Sequence, residues 1–277
     1  MTRARRVAKV GTKIGPDLTV LGAIEKRGEE PVYIVWHHRA WCPMACKRFV
    51  SLRHAEREAD IMSRLAHPNT VRFLGIGKPP HLLMEFLEGP TLSRLIRQQP
   101  QGRLPVSDAV RVAIHLGAAL AHIHAQGLLH LDVKPSNVIV ARGGRPVLYD
   151  FGSARPQDAS RPSHIDGTDP YIAPEECLRG RVTTAADVFS LGVTLHQMLA
   201  GERPFPDGTR RNPFPQTRQP AQSIRRLRPS VPKKLDDLLL RCLARDPAER
   251  PAIGELLPAL HPFIRSGRPM WPPGFDP

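Results

Sequence analysis

LLHLDVKPSNVIV, residues 128–140, decides how the rest of the chain is read. Two apolar runs enclose a small polar cluster: His130, Asp132, Lys134, Ser136 and Asn137. Burying a carboxylate, an ammonium and an amide between apolar segments is costly unless each group meets a partner. The cluster therefore predicts a site that these side chains hold together.

On the N-terminal side the texture is mostly sheet. LTVLGAI (18–24), VYIVW (32–36) and MACKRFV (44–50) read as strands, with EKRGEEP (25–31) as a turn. SLRHAEREADIMSRL (51–65) places Ala55, Ala59, Met62 and Leu65 at helical spacing. TVRFLGIG (70–77) and HLLMEFLEG (81–89) read as two more strands. From Pro90 onward the pattern turns helical. Ser107 is expected to cap a helix that Gly127 ends. Residues 185–200, 233–244 and 253–264 read as further helices, and the join falls near Leu87–Gly89.

Composition narrows the function. A chain of 277 residues can form two lobes around a cleft with ample core. Thirty prolines point to many turns, and a formal charge of +14 favours anionic partners. The four cysteines, Cys42, Cys46, Cys177 and Cys242, have no CxxC spacing and read as free thiols in a reducing cytoplasm. His37, His38, Cys42 and Cys46 lack the paired ligand spacing of a structural zinc site and read instead as strand–turn–strand. The basic start is followed by no apolar h-region, and no run approaches about 18 apolar residues. The expectation is a cytoplasmic protein without a transmembrane segment.

Against this background the motifs line up. HLDVKPSNVIV resembles the catalytic loop of eukaryotic-like serine/threonine protein kinases, and LYDFGSA resembles their metal-binding segment. GTDPYIAPE, DVFSLGVTL and RCLARDPAERP resemble later signatures, in family order. Upstream, MACKRF resembles the strand with the ATP-binding lysine, and EREADIM the helix with its glutamate partner, followed by HPN. The resemblance implies an α+β bilobal fold: a small β-rich N-lobe with one regulatory helix, and a larger helical C-lobe. It sets a basic tail at 1–17, an N-lobe at 18–86, a hinge at 85–89, a C-lobe at 90–265 and an irregular tail at 266–277.

The resemblance also implies roles. Asp132 would orient the substrate hydroxyl, Lys134 would offset charge on the γ-phosphate, and Asn137 and Asp150 would bind Mg²⁺. Lys47, held by Glu58, would contact the α/β-phosphates of ATP. Gly22, Val32, Ala45 and Ile139 would line the nucleotide, with Met84 behind adenine and Glu85 and Leu87 presenting backbone groups to it. Glu175 with Arg250, and Asp187 beneath the catalytic loop, look structural. Met62, Phe73, His130 and Phe151 match an apolar stack. Lys134 and Thr168 imply serine/threonine rather than tyrosine substrates.

Two departures qualify the match. Leu131 stands where many members carry arginine, so phosphorylation at Ser160 or Ser163 is not expected to be the main switch; Arg155 or Arg161 is the alternative reader of a phosphate. The glycine-rich loop keeps Gly22 but carries Glu29, Glu30 and Pro31, which bring bulk, negative charge and a lost N–H donor. The leading reading is an active kinase; the alternative is a pseudokinase serving as a nucleotide- or protein-binding scaffold. A nucleic-acid-binding protein, suggested by charge alone, has no zinc finger, helix-turn-helix or aromatic platform to support it. The implied partner is a protein bearing serine or threonine, with acidic segments favoured by charge. No oligomeric state follows from the sequence.

Overall fold

The structure, a computed structural model, describes residues 8–24, 31–159 and 170–264. The chain divides into two compact units, one drawn from Met1–His67 and Val71–Glu88, the other from Pro68–Thr70 and Gly89–Pro277. The boundary at Glu88/Gly89 coincides with the change of texture read from the sequence.

The first unit is an antiparallel sheet with one helix. Strands β1 (Lys13–Ile14), β2 (Leu18–Ile24), β3 (Val32–His37) and β4 (Cys42–Arg48) precede helix α1 (Leu52–Ser63), and β5 (Phe73–Gly77) and β6 (His81–Glu85) follow it. Their order in the sheet is β1-β2-β3-β4-β6-β5. Alternation sorts the side chains. Leu18, Val20, Tyr33, Val35, Met44 and Cys46 bury together with Ile14 on one face. Directly paired residues share a face, so two rows form on the other. One runs Gly22, Ile34, Ala45, Met84; the next runs Ile24, Val32, Lys47, Leu82.

Residues 8–17, expected as part of a basic tail at 1–17, are tied to the sheet instead. Ile14 is buried, and Lys13 and Ile14 pair with Thr19 and Leu18. Gly11 N–H donates to the Val20 carbonyl at 2.8 Å, and Ala8 N–H to the Tyr33 hydroxyl at 3.1 Å. The surrounding basic residues hid one buried isoleucine and its backbone bonds, which tie residues 8–17 to the sheet. The other predicted tail, 266–277, lies outside the described residues.

The second unit is mainly helical. It contains α2 (Leu92–Gln98), α3 (Val106–Ala125), β7 (Leu128–Leu129), β8 (Val138–Ala141), β9 (Arg145–Leu148), β10 (Arg155–Pro156), α4 (Pro174–Cys177), α5 (Thr184–Ala200), α6 (Ile224–Leu227), α7 (Lys233–Cys242) and α8 (Ile253–Leu260). β8 pairs with β9, and β7 with β10. Helices α3 and α5 form the centre. A Cβ on Gly117 of α3 would lie 2.5 Å from Leu257 Cδ2 of α8, and one on Gly192 of α5 would lie 3.0 Å from Cys242 Cβ of α7. Glycine weakens a helix interior by about 1 kcal/mol; here it permits close helix packing.

Ser107 is not the cap expected of it. The helix starts at Val106, and the Pro105 carbonyl accepts from the N–H groups of Asp108 and Ala109, which places Ser107 inside the first turn. Proline's fixed φ suits this entry without a side-chain oxygen. Gly127, at φ 70°, does follow the helix end. α3 is long and apolar enough by composition to cross a membrane, and most of it is buried within this unit.

Candidate active site

In the first unit, Lys47 leaves β4 on the face opposite Cys46. Its Nζ donates to both Glu58 carboxylate oxygens of α1, each at 2.9 Å. The two side chains are only 13% and 6% exposed, so neither charge can rely on water. Removing one member of such a pair strands the other, at about 3–5 kcal/mol. Lys47 Nζ also sits 5.3 Å from the Phe49 ring centroid. Gly22, Val32, Ala45 and Met84 share the sheet face of Lys47. At Gly22 a Cβ would meet only Ile34 Cδ1, at 3.9 Å, so packing inside the unit does not demand glycine there. The Glu85 N–H donates to the Arg72 carbonyl at 3.0 Å, and its Oε1 accepts from the Arg72 N–H at 2.9 Å. Leu87 is buried.

In the second unit, Asp187 of α5 fixes the start of the polar loop. Its Oδ2 accepts from the His130 N–H at 3.0 Å and its Oδ1 from the Leu131 N–H at 2.7 Å. His124 Nε2 lies 2.8 Å from Oδ2. Burial alone would raise this carboxyl's pKa, but the bonds and charge from His124 and the His130 contacts hold it below the usual range. The clamp supports Leu131 at φ 63°, a left-handed conformation that strains a branched side chain by about 1–2 kcal/mol. The His130 ring packs edge-on against Phe151 at 5.0 Å. Its Nδ1 accepts from the Asp132 N–H at 3.2 Å, which places the ring proton on Nε2. Burial keeps this imidazole neutral by lowering its pKa.

The loop's side chains converge on Asp132. Lys134 Nζ lies 2.6 Å from Asp132 Oδ1, and Asn137 Nδ2 donates to Asp132 Oδ2 at 2.6 Å and to the Asp132 carbonyl at 3.0 Å. The β8–β9 hairpin braces the loop from behind. The Tyr149 N–H donates to the Asn137 carbonyl at 3.0 Å, and its hydroxyl to the Ser136 carbonyl at 2.6 Å. Asp150 follows at φ 68°, with Oδ1 accepting from the Gly152 N–H at 3.4 Å. Because both amide donor contacts of Asn137 go to Asp132, its Oδ1 is turned away as a hard oxygen donor. With the Asp150 carboxylate, that donor set suits Mg²⁺. Ile139 is half-buried on β8, bridged to Thr91.

Glu175 and Arg250 form a buried, two-pronged ion pair at 2.8 Å on both oxygens. Arg250 also donates to the Ala244 and Ala185 carbonyls, each at 2.9 Å, and stacks 5.0 Å from the Phe189 ring. Of the predicted apolar stack, His130 and Phe151 touch within the second unit. Met62 is buried on α1 and Phe73 half-buried on β5 in the first. Ser160, Arg161, Ser163 and Thr168 lie outside the described residues, as do Glu29 and Glu30; Arg155 is buried on β10. His124 and Tyr149 were missed by sequence reading. The partner of His124, Asp187, lies 63 residues along the chain, and the partners of Tyr149, Ser136 and Asn137, meet it only across the β8–β9 hairpin. Cys46, weighed as a metal ligand, is buried, and burial pushes its thiol up to about 12.

This architecture and site define the class: the chain belongs to the protein kinase domain family, which matches residues 31–264. Its relatives give the particular neighbourhood. It is 31% identical over 207 residues to the serine/threonine-protein kinase PrkC of Bacillus subtilis, covering 72% of this chain and 32% of that protein. It is 35% identical over 210 residues to the serine/threonine-protein kinase PkaA of Streptomyces coelicolor, covering 72% of this chain and 38% of that protein. The crystal structure of a point mutant of the Mycobacterium tuberculosis PknI kinase domain superposes with a TM-score of 0.73 at 25% identity, over 93% of this chain and 99% of that one. The chain thus spans about a third of the length of the curated relatives it matches.

Proposed function

We propose that this chain transfers the γ-phosphoryl group of ATP, with Mg²⁺, to serine and threonine hydroxyls of proteins. The observation that carries the reading is the Asp132 carboxylate, divided between Lys134 and Asn137 on a backbone clamped by Asp187. Phosphoryl transfer needs positioning and charge neutralisation more than covalent help. Asp132 orients the substrate hydroxyl and accepts its proton as the hydroxyl oxygen bonds to the γ-phosphorus and the bond from that phosphorus to the β–γ bridging oxygen breaks, releasing ADP. Lys134 offsets charge on the transferring group while holding Asp132 in place. Lys47, pre-positioned by Glu58, contacts the α/β-phosphates. Asn137 and Asp150 hold Mg²⁺, which supplies positive charge to the phosphate oxygens. In the first unit, Val32 and Ala45 line the base with Met84 behind it, Glu85 and Leu87 present backbone groups to it, and Gly22 lies by the nucleotide; Thr168 with Lys134 favours serine and threonine acceptors.

Residues 208–235 carry six arginines, two lysines and no acid. Arg210, Arg211, Arg218, Arg225, Arg226, Lys233 and Lys234 are exposed. Acidic substrates are favoured by this face. Their advantage over basic peptides is expected at low salt and should fade near physiological ionic strength, where the Debye length is about 8 Å.

Incubation with Mg²⁺-ATP and a generic protein, followed by phosphoamino-acid analysis, tests the function. Phosphoserine and phosphothreonine are expected. Nucleotide binding without transfer would instead identify a scaffold.

A further inference from the structure

The C-terminal end of α5 is built around two arginines that no carboxylate among the described residues answers. Arg103 Nε donates to the Ala200 carbonyl at 2.9 Å. Arg228 Nη1 donates to the carbonyls of Leu104, at 2.7 Å, and Leu199, at 3.2 Å. Between them the Leu104 N–H donates to the Met198 carbonyl at 2.8 Å. Capping a helix C-terminus with cations is favourable and explains where the two side chains sit. It does not account for their remaining donors. A guanidinium carries five N–H groups in a fixed fork, and the remaining ones on both residues have no acceptor among the described residues. Both arginines line an open pocket of about 650 Å³ together with Pro100, Gln101, Leu227, Pro229 and Ser230, and no acidic residue among the described ones stands in its wall.

The wall is held in shape. Gln101 and Gly102 both adopt left-handed backbone, at φ 57° and 65°. A Cβ on Gly201 would fall 2.5 Å from the Gln101 carbonyl, so this loop is pressed directly onto the end of α5. Arg225 and Arg226 of α6, exposed beside the pocket in sequence, extend the positive charge outward. Two like charges held half-buried on one pocket rim repel, and an anion between them would offset that repulsion. Burial, joined by the charge of Arg103, accordingly pushes the Arg228 pKa down.

We propose that Arg103 and Arg228 form a phosphate-binding subsite, separate from the catalytic loop, that captures a phosphorylated side chain of a protein partner. Paired guanidinium forks match the tetrahedral oxyanion. Protein-borne phosphate is favoured over the free ion because the flanking Arg225 and Arg226 offer further contacts only to a longer acidic segment. The inference does not depend on the chain being catalytically active.

The test is residue-resolved. The chain is titrated with inorganic phosphate, and separately with an acidic phosphoserine peptide and its unphosphorylated twin, while backbone amide shifts are followed by NMR. Shifts at Gln101, Gly102 and Ser230 are expected, with the phosphopeptide binding at least about tenfold more tightly than either control. Arg103→Gln should weaken binding by about tenfold, the scale of one lost charge-assisted bond. Since Arg103 and Arg228 also hold backbone carbonyls, Ser230→Asp provides a variant that leaves those bonds intact; it should repel phosphate while leaving thermal stability unchanged. Phosphate shifts confined to other residues, or equal affinity in Ser230→Asp, would overturn the proposal. Inorganic phosphate binding as tightly as the phosphopeptide would overturn the assignment to a protein partner.

Discussion

Asp187 performs no chemistry in the proposed reaction, yet the reacting residues depend on it. Fully buried itself, it accepts two consecutive backbone N–H groups and faces the half-buried His124. Asp187→Asn keeps the shape but loses the charge that strengthens these bonds. About 2–4 kcal/mol of unfolding free energy should disappear, measurable by urea denaturation. Because the native pKa is depressed, this contribution is present at neutral pH and fades only as pH falls below the ordinary carboxylate range. Glu176 behaves oppositely. Burial, with Asp187 and Glu175 nearby, pushes its pKa up from 4.5 to about 8, against the N–H of Ala173 and the charge of Arg155. The folded protein therefore binds its proton more tightly than the unfolded chain. Stability from this group is full below pH 4.5 and declines as pH rises towards 8, by up to a few kcal/mol. Glu176→Gln should flatten that slope in pH-dependent denaturation curves; an unchanged slope would mean that another group titrates there.

At the scale of elements, regular patterns were legible and irregular entries were not. LTVLGAI is apolar and VYIVW is β-branched and aromatic, so these segments, with MACKRFV, could be read as strands directly. β1 is two residues long and gives no period, which is why residues 8–17 looked like tail. Ser107 misled because capping propensity describes an isolated helix start, whereas here Pro105 already sets the turn. Gly89 was read only as part of a join, but its absent side chain is a packing requirement. A Cβ there would fall 1.9 Å from the Val140 carbonyl oxygen, while the neighbouring Pro90 carbonyl accepts from the Val140 N–H at 2.9 Å. Gly89→Ala should break this strand-like seam with β8 and lower stability by about 3 kcal/mol. Thermal unfolding monitored by circular dichroism would register it; no measurable shift would show that the backbone relaxes freely.

For the molecule as a whole, the motifs identified the family because spaced polar residues needed partners. The partners themselves were only partly visible. Lys47 and Glu58 were paired by motif, and they lie 2.9 Å apart. The hydrogen bonds of His124 and Tyr149 had no signature in the motifs: the first joins segments 63 residues apart, and the second depends on closure of the β8–β9 hairpin. The paired guanidinium groups of Arg103 and Arg228 likewise emerge only once α5 and its flanking loops are assembled. Everything in the proposed function turns on Asp132, as held by Lys134 and Asn137, serving phosphoryl transfer rather than nucleotide binding. Transfer rate and Mg²⁺-ATP affinity, measured on the same preparations of wild type and Asp132→Asn, separate the two roles. Near-equal affinity is expected, with transfer reduced by about a hundredfold or more in the variant. Equal transfer rates, or a wild type that binds ATP and transfers nothing, would refute that role for Asp132.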